Sequence, residues 1–467
     1  MTEKKNKRLK KKVIDNILRF VKHVLLKPSL YLFIFFAIFS NDRHHRWEIS
    51  KPPYPGPFYD DVAQYYSLLP NTFIEHNNDT LRNLETAKVT LGMAVMYSPA
   101  FFVGHVMAKV QGEKADGYSE PYQWTFHMEC ILISLLGLWF LRKSLLYFFS
   151  EAVTAISLVC IFMGTNLFMY TYSLSGMPHN YLFFLFSVFI FASLKLIIDK
   201  KPSYQLLLFF IGGMIVFIRP TDILVFLFPL LFNVNSWKSF MGRIKLFFAK
   251  PIVTFISILL FLVPILFQML IWKKYFGEYI HYSYGRERFF FNDPKIINFL
   301  FSYHKGWLLY TPIMIFAVIG IIISYKKLKS FFPFLVIFFS LNIYILSSWW
   351  DWYYGGSFGC RALIQSYAIL IFPFAVFVQW IWELEIWKVL VKYSVRVLLL
   401  CFLLVFIKFN LFQSWQYRWG MIHWNGMNKE TYWYVFMRDS LTEDELKYMY
   451  SKTTPPEWGD LINGKRD

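Results

Sequence analysis

The sequence has few charged residues for its length. Only 17% of its 467 residues are charged, whereas 56% are hydrophobic and 21% are aromatic. Apolar runs of about 18 or more residues recur along the chain, which is the length that a helix needs to cross a bilayer. A soluble domain of this composition would lack polar surface, and no segment alternates like a strand of a transmembrane barrel. The sequence therefore predicts an all-α protein that crosses a membrane many times.

Cysteine is scarce as well, with four residues in the whole chain. Cys130, Cys160 and Cys401 lie in apolar runs, and Cys360 lies near a polar loop. Their spacing matches neither a disulfide framework nor a metal-binding motif, so we expect no disulfide bond. The chain also lacks the internal repeat that marks many secondary transporters.

Acidic residues are outnumbered, and the net charge is +18. Its placement argues against nucleic acid as a partner, because the basic residues lie in the tail 1–28 and in short gaps between apolar runs. This is the pattern of cytoplasmic segments in membrane proteins. We expect a cytoplasmic tail that signals topology and is attracted to anionic headgroups. We expect no cleavable signal peptide. The predicted location is the inner (cell) membrane.

The basic gaps give a consistent layout of eleven spans within a transmembrane domain, residues 29–412. The first span covers residues 29–41, and the others cover residues 125–141, 151–170, 179–198, 204–218, 220–234, 251–271, 307–324, 331–347, 361–381 and 394–412. Residues 42–124 then form a long first outer loop. Within it, 91–110 is predicted as an interfacial or re-entrant helix pair, because a span there would place the basic residues 141–143 outside. Residues 413–467 form a small segment on the outer face.

In this layout the outer loops carry cations next to aromatic residues and glycines. The candidates for binding an anion are Arg219, Arg286, Arg288, His304, Lys305 and Arg361. Cations at the interface suit a phosphate ester whose lipid tail stays in the bilayer, since Arg binds phosphate bidentately and Lys acts as a point charge. For any one of them the plain alternative is snorkelling to the headgroups. Several cations on this face run against the positive-inside rule, which favours the binding interpretation.

Residues 349–361, "WWDWYYGGSFGCR", form the most unusual string. Gly355, Gly356 and Gly359 allow close backbone approach or a positive φ. An interfacial aromatic belt accounts for tryptophan and tyrosine, but not for the glycine-rich pattern beside them. Aromatic platforms with polar neighbours suit a sugar ring or the neck of a lipid phosphate. The predicted substrate contacts are Tyr65, Tyr66, Trp350, Asp351 and Tyr354.

Two adjacent carboxylates, Asp60 and Asp61, lie in the first outer loop. They could be solvated loop charges or ion-pair partners of a nearby Arg or Lys. On a cationic face, a carboxylate can instead act as general base on an acceptor hydroxyl. Neighbouring helical residues diverge by about 100°, so one Asp would be the base and the other a hydrogen-bond or metal partner. No full set of metal ligands is visible, so dependence on Mg²⁺ or Mn²⁺ stays open.

Four strings together resemble the GT-C superfamily of membrane glycosyltransferases. This superfamily includes the protein O-mannosyltransferases and the bacterial enzymes that modify lipid A with aminoarabinose. The strings are "DDVAQYYSLLP" (60–70), "LGMAVMYSPAFFVGH" (91–105), "RPTD" (219–222) and "WWDWYYGGSFGCRAL" (349–363). The resemblance covers about residues 29–412. The C-terminal segment is smaller than the outer domains of several relatives, which puts acceptor selection by that segment in doubt.

The resemblance implies a polyprenyl-phosphate-sugar donor and inverting transfer to a lipid, glycan or protein acceptor. Relatives often carry an Asp-Glu pair where this chain has Asp60 and Asp61, and we favour Asp61 as base because it directly precedes "VxxYY". The implied donor-phosphate residues are Lys305, Arg219, Arg361, His304 and Arg286.

Three alternatives stay open from the sequence. A lipid-linked glycan polymerase or ligase would use the same face and a similar lipid phosphate. A flippase would need ionisable residues at mid-membrane depth, where only His127, Glu129 and Gln268 are candidates. The third is a non-catalytic scaffold for assembly.

Overall fold

The computed structural model describes residues 27–49, 57–58, 60–76, 90–384 and 389–466. Within these ranges the chain forms twenty α-helices and three short 3-10 helices, and no strand. One isolated antiparallel bridge joins Phe289 to Trp349. The all-α prediction is confirmed, whereas most of the basic tail 1–28 lies outside the described residues.

The helices are numbered here in chain order. The first eleven are α1 Pro28–Ile49, α2 Asp60–Phe73, α3 Gly92–Gln111, α4 Glu120–Leu145, α5 Glu151–Met163, α6 Leu167–Tyr172, α7 Pro178–Ile197, α8 Ser203–Ile218, α9 Leu227–Leu231, α10 Trp237–Phe248 and α11 Pro251–Phe276. The others are α12 Ile296–Phe301, α13 Trp307–Tyr310, α14 Ile315–Lys327, α15 Phe332–Ser348, α16 Tyr367–Trp382, α17 Val389–Arg418, α18 Lys429–Val435, α19 Glu443–Ser451 and α20 Trp458–Ile462. The 3-10 helices are Pro220–Phe226, Pro312–Met314 and Arg361–Leu363.

Among the described residues, five helices are long and apolar enough to cross a membrane: α3, α4, α7, α11 and α17. The chain is therefore a multi-pass membrane protein by the length and composition of its helices. The other predicted spans correspond to α1 and to shorter or interrupted helices. Residues 220–234 and 307–324 are interrupted where Pro220 and Pro312 begin 3-10 turns, because proline has a fixed φ and no N–H to donate.

The centre of the bundle is formed by α7 and α16. In an apolar 18-residue stretch of α7, 83% is buried inside the protein, against 22% in α11 and 17% in α17. Helix α7 lies between α4 and α8, and α16 packs against α5, α7 and α14. Apolar helices that are exposed on most of their surface face lipid, whereas a buried one belongs to the protein core. Helices α11 and α17 therefore lie on the periphery.

Helix α1 connects the two ends of the bundle. At its start, Ser29 accepts a hydrogen bond from Arg142 Nε (2.5 Å), and Arg142 Nη2 lies 2.6 Å from Glu151 Oε1. Near its other end, His44 Nδ1 lies 3.0 Å from the carbonyl oxygen of Tyr172. Arg142 belongs to one of the basic gaps predicted to face the cytoplasm, so the ion pair marks the predicted inner end.

Helix α3 is one continuous helix and not a re-entrant pair. The Leu91 N–H, just before it, donates to Gln268 Oε1 (2.9 Å), and a Cβ on Gly92 would lie 2.8 Å from Ile218, next to Arg219. Beyond its other end, the carbonyl of Gly117 accepts from the Tyr66 hydroxyl of α2 (2.7 Å). Both ends thus lie beside segments predicted on the outer face. The interfacial placement of α3 stays a prediction, since its length and composition also suit a span.

Candidate functional site

The first element of the site is an ion pair between two predicted site residues. Asp61 stands in the first turn of α2, and Arg361 begins the 3-10 helix that leads into α16. Arg361 Nη1 lies 3.2 Å from Asp61 Oδ2, although the two residues are 300 positions apart. The Arg361 side chain is 16% exposed and that of Asp61 is 47% exposed. The pair is therefore partly shielded on the arginine side and open on the carboxylate side. The side chain of Asp60 lies outside the described residues.

Three further predicted residues surround this ion pair. Burial, with Tyr284 and Asp61, raises the pKa of the Tyr65 hydroxyl, whereas Arg361 and Arg219 lower it. The guanidinium carbon of Arg219 lies 5.4 Å from the centre of the Tyr354 ring, which is a cation–π contact. We name Asp61, Tyr65, Arg219, Tyr354 and Arg361 the Asp61–Arg361 cluster. Its members come from α2, the end of α8 and the loop before α16.

The loop conformation explains how this cluster forms. Tyr354, Gly355 and Gly359 all have left-handed backbones, with φ of 60°, 62° and 59°. For tyrosine this conformation costs on the order of 1–3 kcal/mol, and such strain collects at functional sites. A Cβ on Gly355 would lie 3.5 Å from Asp351 Oδ2 and 3.6 Å from Arg361 Nη2. The turn therefore brings Gly355 next to both the Asp351 carboxylate and the Arg361 guanidinium.

Asp351 is the buried carboxylate of the site, with 6% of its surface exposed. Burial raises its pKa to about 7, against the lowering effect of Arg361, Lys305 and the Gly355 N–H. Its Oδ1 atom has no hydrogen-bond partner in the protein. Asp351 thus changes protonation state near neutral pH, unlike an exposed aspartate.

We predict that Asp351 makes the protein less stable as the pH rises. The native state holds a proton on Asp351 up to about pH 7, whereas the unfolded state releases it near its ordinary value of 3.8. Stability from this group therefore falls between about pH 4 and pH 7, by at most about 1.4 kcal/mol per pH unit. Thermal unfolding in detergent at pH 5 and pH 8 measures it. Asp351→Asn should reduce the difference between the two melting temperatures, and an unchanged difference would contradict the assignment.

Lys305 lies next to the cluster but is held by backbone groups. It is 3% exposed, and its ammonium donates to the carbonyls of Ser357 and Trp424, the latter at 2.5 Å. Burial and the charge of Arg361 lower its pKa well below the usual lysine value. Lys305 therefore ties three segments together through its two hydrogen bonds. Its role in phosphate binding stays a prediction.

His304 and Arg286 differ in exposure. The His304 ring lies 4.3 Å from the Tyr353 ring, and burial and Lys305 lower its pKa to about 3, so it is neutral. Arg286 is exposed on the loop after α11. In the same loop, the Tyr284 ring packs edge-on against Trp349 at 5.4 Å. Phosphate binding by Arg286 and His304 stays a prediction.

Two of the predicted substrate contacts, Tyr66 and Trp350, lie buried in the packing of the protein. Tyr66 is 1% exposed, donates to Gly117 and stacks on Phe58 at 3.8 Å. Because successive helical residues diverge by about 100°, Tyr65 reaches the cluster whereas Tyr66 faces the core. Trp350 is 3% exposed and packs against Trp458 of α20 at 5.4 Å. These contacts do not support the predicted substrate roles of Tyr66 and Trp350.

Several residues near the site were missed by sequence reasoning. Gln365 donates to Asp222 (3.3 Å), and its Oε1 lies 3.2 Å from His179 Nδ1, so a buried polar chain runs close to Arg219. Arg466 is 1% exposed and donates to the carbonyls of Ser347 and Trp349, each at 2.7 Å. Asp222 belongs to the "RPTD" string, but no local signal in the sequence identifies Gln365, His179 or Arg466.

The described part of the chain contains side chains of the types that bind a metal ion or form disulfide bonds. There, no three residues among His, Cys, Asp and Glu lie together as a metal site would require. All four cysteines are free thiols in this structure. Of the two carboxylates suggested for Mg²⁺ or Mn²⁺, Asp61 is paired with Arg361.

Comparison with known proteins does not assign this chain to a family. The sequence matches no protein-family model and no curated protein. What the chain does is therefore inferred from its own residues.

Proposed function

We propose that this protein is an integral membrane glycosyltransferase of the GT-C type, with about eleven crossings. It would move a sugar from a polyprenyl phosphate to a lipid, glycan or protein acceptor on the outer face of the inner membrane. The observation that carries the proposal is the cluster itself. One half-exposed carboxylate, Asp61, lies beside the shielded cation Arg361 and near Arg219, on segments far apart in sequence.

The two arginines suit the phosphate of the donor. A guanidinium binds phosphate oxygens through two parallel N–H bonds, and such charge-assisted bonds are roughly twice as strong as neutral ones. Arg361 is shielded, and its Nε is buried without a partner, so N–H donors remain for a ligand. Arg219 lies on the face of Tyr354, which orients its guanidinium plane.

The Asp61 carboxylate suits the role of general base for the acceptor hydroxyl. In the proposed reaction the acceptor hydroxyl oxygen forms a bond to the anomeric carbon, and the bond from that carbon to the phosphate oxygen breaks. The hydroxyl proton passes to the Asp61 carboxylate, and the electron pair of the broken bond stays on the polyprenyl phosphate. Attack opposite to the leaving phosphate inverts the anomeric centre. Arg361 would stabilise the negative charge that develops on the phosphate.

A transfer assay tests this proposal. Membranes that contain the protein receive a polyprenyl phosphate that carries a radiolabelled sugar, and the label is followed into acceptor molecules. We expect transfer above that of membranes without the protein, with release of polyprenyl phosphate. Label that crosses the bilayer of liposomes while still bound to its lipid would show a flippase instead. Label that accumulates in growing lipid-linked chains would show a polymerase.

A further inference from the structure

Beside the cluster, the loop 350–354 holds buried polar atoms without partners. Asp351 Oδ1 and the Tyr353 hydroxyl have no hydrogen bond within the protein, although the two residues are 6% and 2% exposed. His304 Nε2, next to them, is also buried without a partner. Most buried polar atoms in native proteins are hydrogen-bonded, so three such atoms in one place call for an explanation. Each such atom destabilises the folded protein unless something binds there.

The three atoms belong to one region. The rings of His304 and Tyr353 are 4.3 Å apart. Asp351 and Tyr353 belong to one tight turn, in which the Tyr354 N–H donates to the Asp351 carbonyl (2.9 Å). Gly355 lies next to both Asp351 and Arg361, since a Cβ there would be 3.5 Å from Asp351 Oδ2 and 3.6 Å from Arg361 Nη2. The region therefore adjoins the guanidinium that is proposed to bind phosphate.

The hydrogen-bonding chemistry of these atoms limits which class of ligand can bind them. The Tyr353 hydroxyl both donates and accepts, the neutral His304 ring donates or accepts according to its tautomer, and Asp351 accepts when ionised. The one cation between them, Lys305, already donates to two carbonyls. A second phosphate would find no free cation among these four residues, and an apolar ligand would leave the polar atoms unpaired. A ring with several hydroxyl groups supplies both donors and acceptors.

We infer that Asp351, Tyr353 and His304 form the subsite for the sugar of the lipid-linked donor. The inference rests on the proposed function, because it uses the donor phosphate at Arg361 to place the sugar beside it. The aromatic rings of Trp352 and Tyr353, 5.3 Å apart, form a wall of the same region. The competing explanation is ordered water that satisfies the three atoms.

Removal of one hydroxyl tests the subsite. Tyr353→Phe keeps the ring and deletes only the unpartnered oxygen. We expect it to weaken binding of a polyprenyl phosphate that carries a hexose by about tenfold, the equivalent of one hydrogen bond of about 1.4 kcal/mol. Binding of polyprenyl phosphate without a sugar should not change. Native mass spectrometry of the full chain in detergent, with both lipids and with N-acetylhexosamine and pentose donors, measures the affinities.

A matched variant controls for the substitution itself. Tyr147→Phe also removes a tyrosine hydroxyl, but this one is half-buried and donates to Asp199 (2.8 Å), near the end of α4 that holds Arg142. It should change neither affinity. Asp351→Asn provides a second variant of the subsite, with melting temperature as the check on folding. This variant should also weaken binding of the sugar-carrying lipid and leave binding of the lipid without a sugar unchanged.

The outcomes separate the subsite from the function. Equal affinities of wild type and Tyr353→Phe for every sugar-carrying lipid would show that water satisfies the three atoms, and would overturn the subsite. Equal losses for lipids with and without sugar would overturn it as well, because the hydroxyl would then act on the phosphate or on folding. Selective loss in a protein that transfers no sugar would support the subsite and refute the proposed transferase.

Discussion

Asp61→Asn is expected to lower the rate of sugar transfer by about 100-fold or more. A general base contributes on the order of 10²–10⁴ to the rate of such a reaction. The amide of Asn has the shape of the carboxylate but cannot accept the proton of the acceptor hydroxyl. Because the Asp61 side chain is 47% exposed and forms an ion pair with Arg361 at the protein surface, the variant should still fold.

The measurement is initial-rate transfer from the labelled donor in membranes with equal protein. Asp199→Asn is the matched control, because Asp199 is also an ion-paired aspartate, 2.6 Å from Lys195 at the end of α7. It should keep wild-type activity. Asp60→Asn should keep more activity than Asp61→Asn. If Asp61→Asn transfers sugar at the wild-type rate, Asp61 is not the base, and loss confined to Asp60→Asn would assign that role to its neighbour.

Arg466→Met should cause the largest loss of stability among single substitutions near the site. The guanidinium of Arg466 donates to the carbonyls of Asp293, Ser347 and Trp349 at 2.5–2.7 Å and lies almost fully buried. Methionine fills a similar volume but donates nothing, so several buried carbonyls lose their partner at about 1–3 kcal/mol each. We expect destabilisation of about 3 kcal/mol or more, together with loss of transfer, because the same contacts hold the loop that carries Asp351.

The melting temperature of the purified protein in detergent measures this effect. Arg438→Met is the control, since Arg438 forms an exposed ion pair with Glu445 (3.0 Å) in the same C-terminal segment. Exposed ion pairs contribute about 0–1 kcal/mol, so its melting temperature should change little. Equal melting temperatures for the two variants would show that Arg466 does not stabilise the loop.

Helix positions were the most predictable part of the fold. The predicted spans 179–198, 204–218 and 331–347 match α7, α8 and α15 within one residue at each end. Length and hydrophobicity are local properties, so the sequence carries them directly. The interruptions at Gly164 and Pro312 were not predicted. A Cβ on Gly164 would lie 2.7 Å from Ile313, so this break reflects a contact between two segments distant in sequence.

The candidate site was predictable in its residue types but not in its pairings. Asp61, Arg219, Arg361 and the left-handed Gly355 and Gly359 stand out in the sequence, because carboxylates, cations and glycines are conspicuous in an apolar chain. Residues that stand out only through their burial were not among the predicted site residues. One is Arg466, and another is Tyr353, whose hydroxyl has no partner. Nothing local distinguishes them from surface or belt residues.

The sequence by itself determined that this protein is helical and membrane-embedded, and which short strings carry its polar chemistry. Helix length, hydrophobicity and charge are properties of continuous stretches of sequence, so they can be predicted without knowledge of any tertiary contact. Only the tertiary structure decided that Asp61 meets Arg361 at 3.2 Å, that Tyr65 and not Tyr66 lies beside them, and that Lys305 is held by carbonyls. Partners, burial and the resulting pKa values depend on segments up to 300 residues apart, which meet only when the chain is packed.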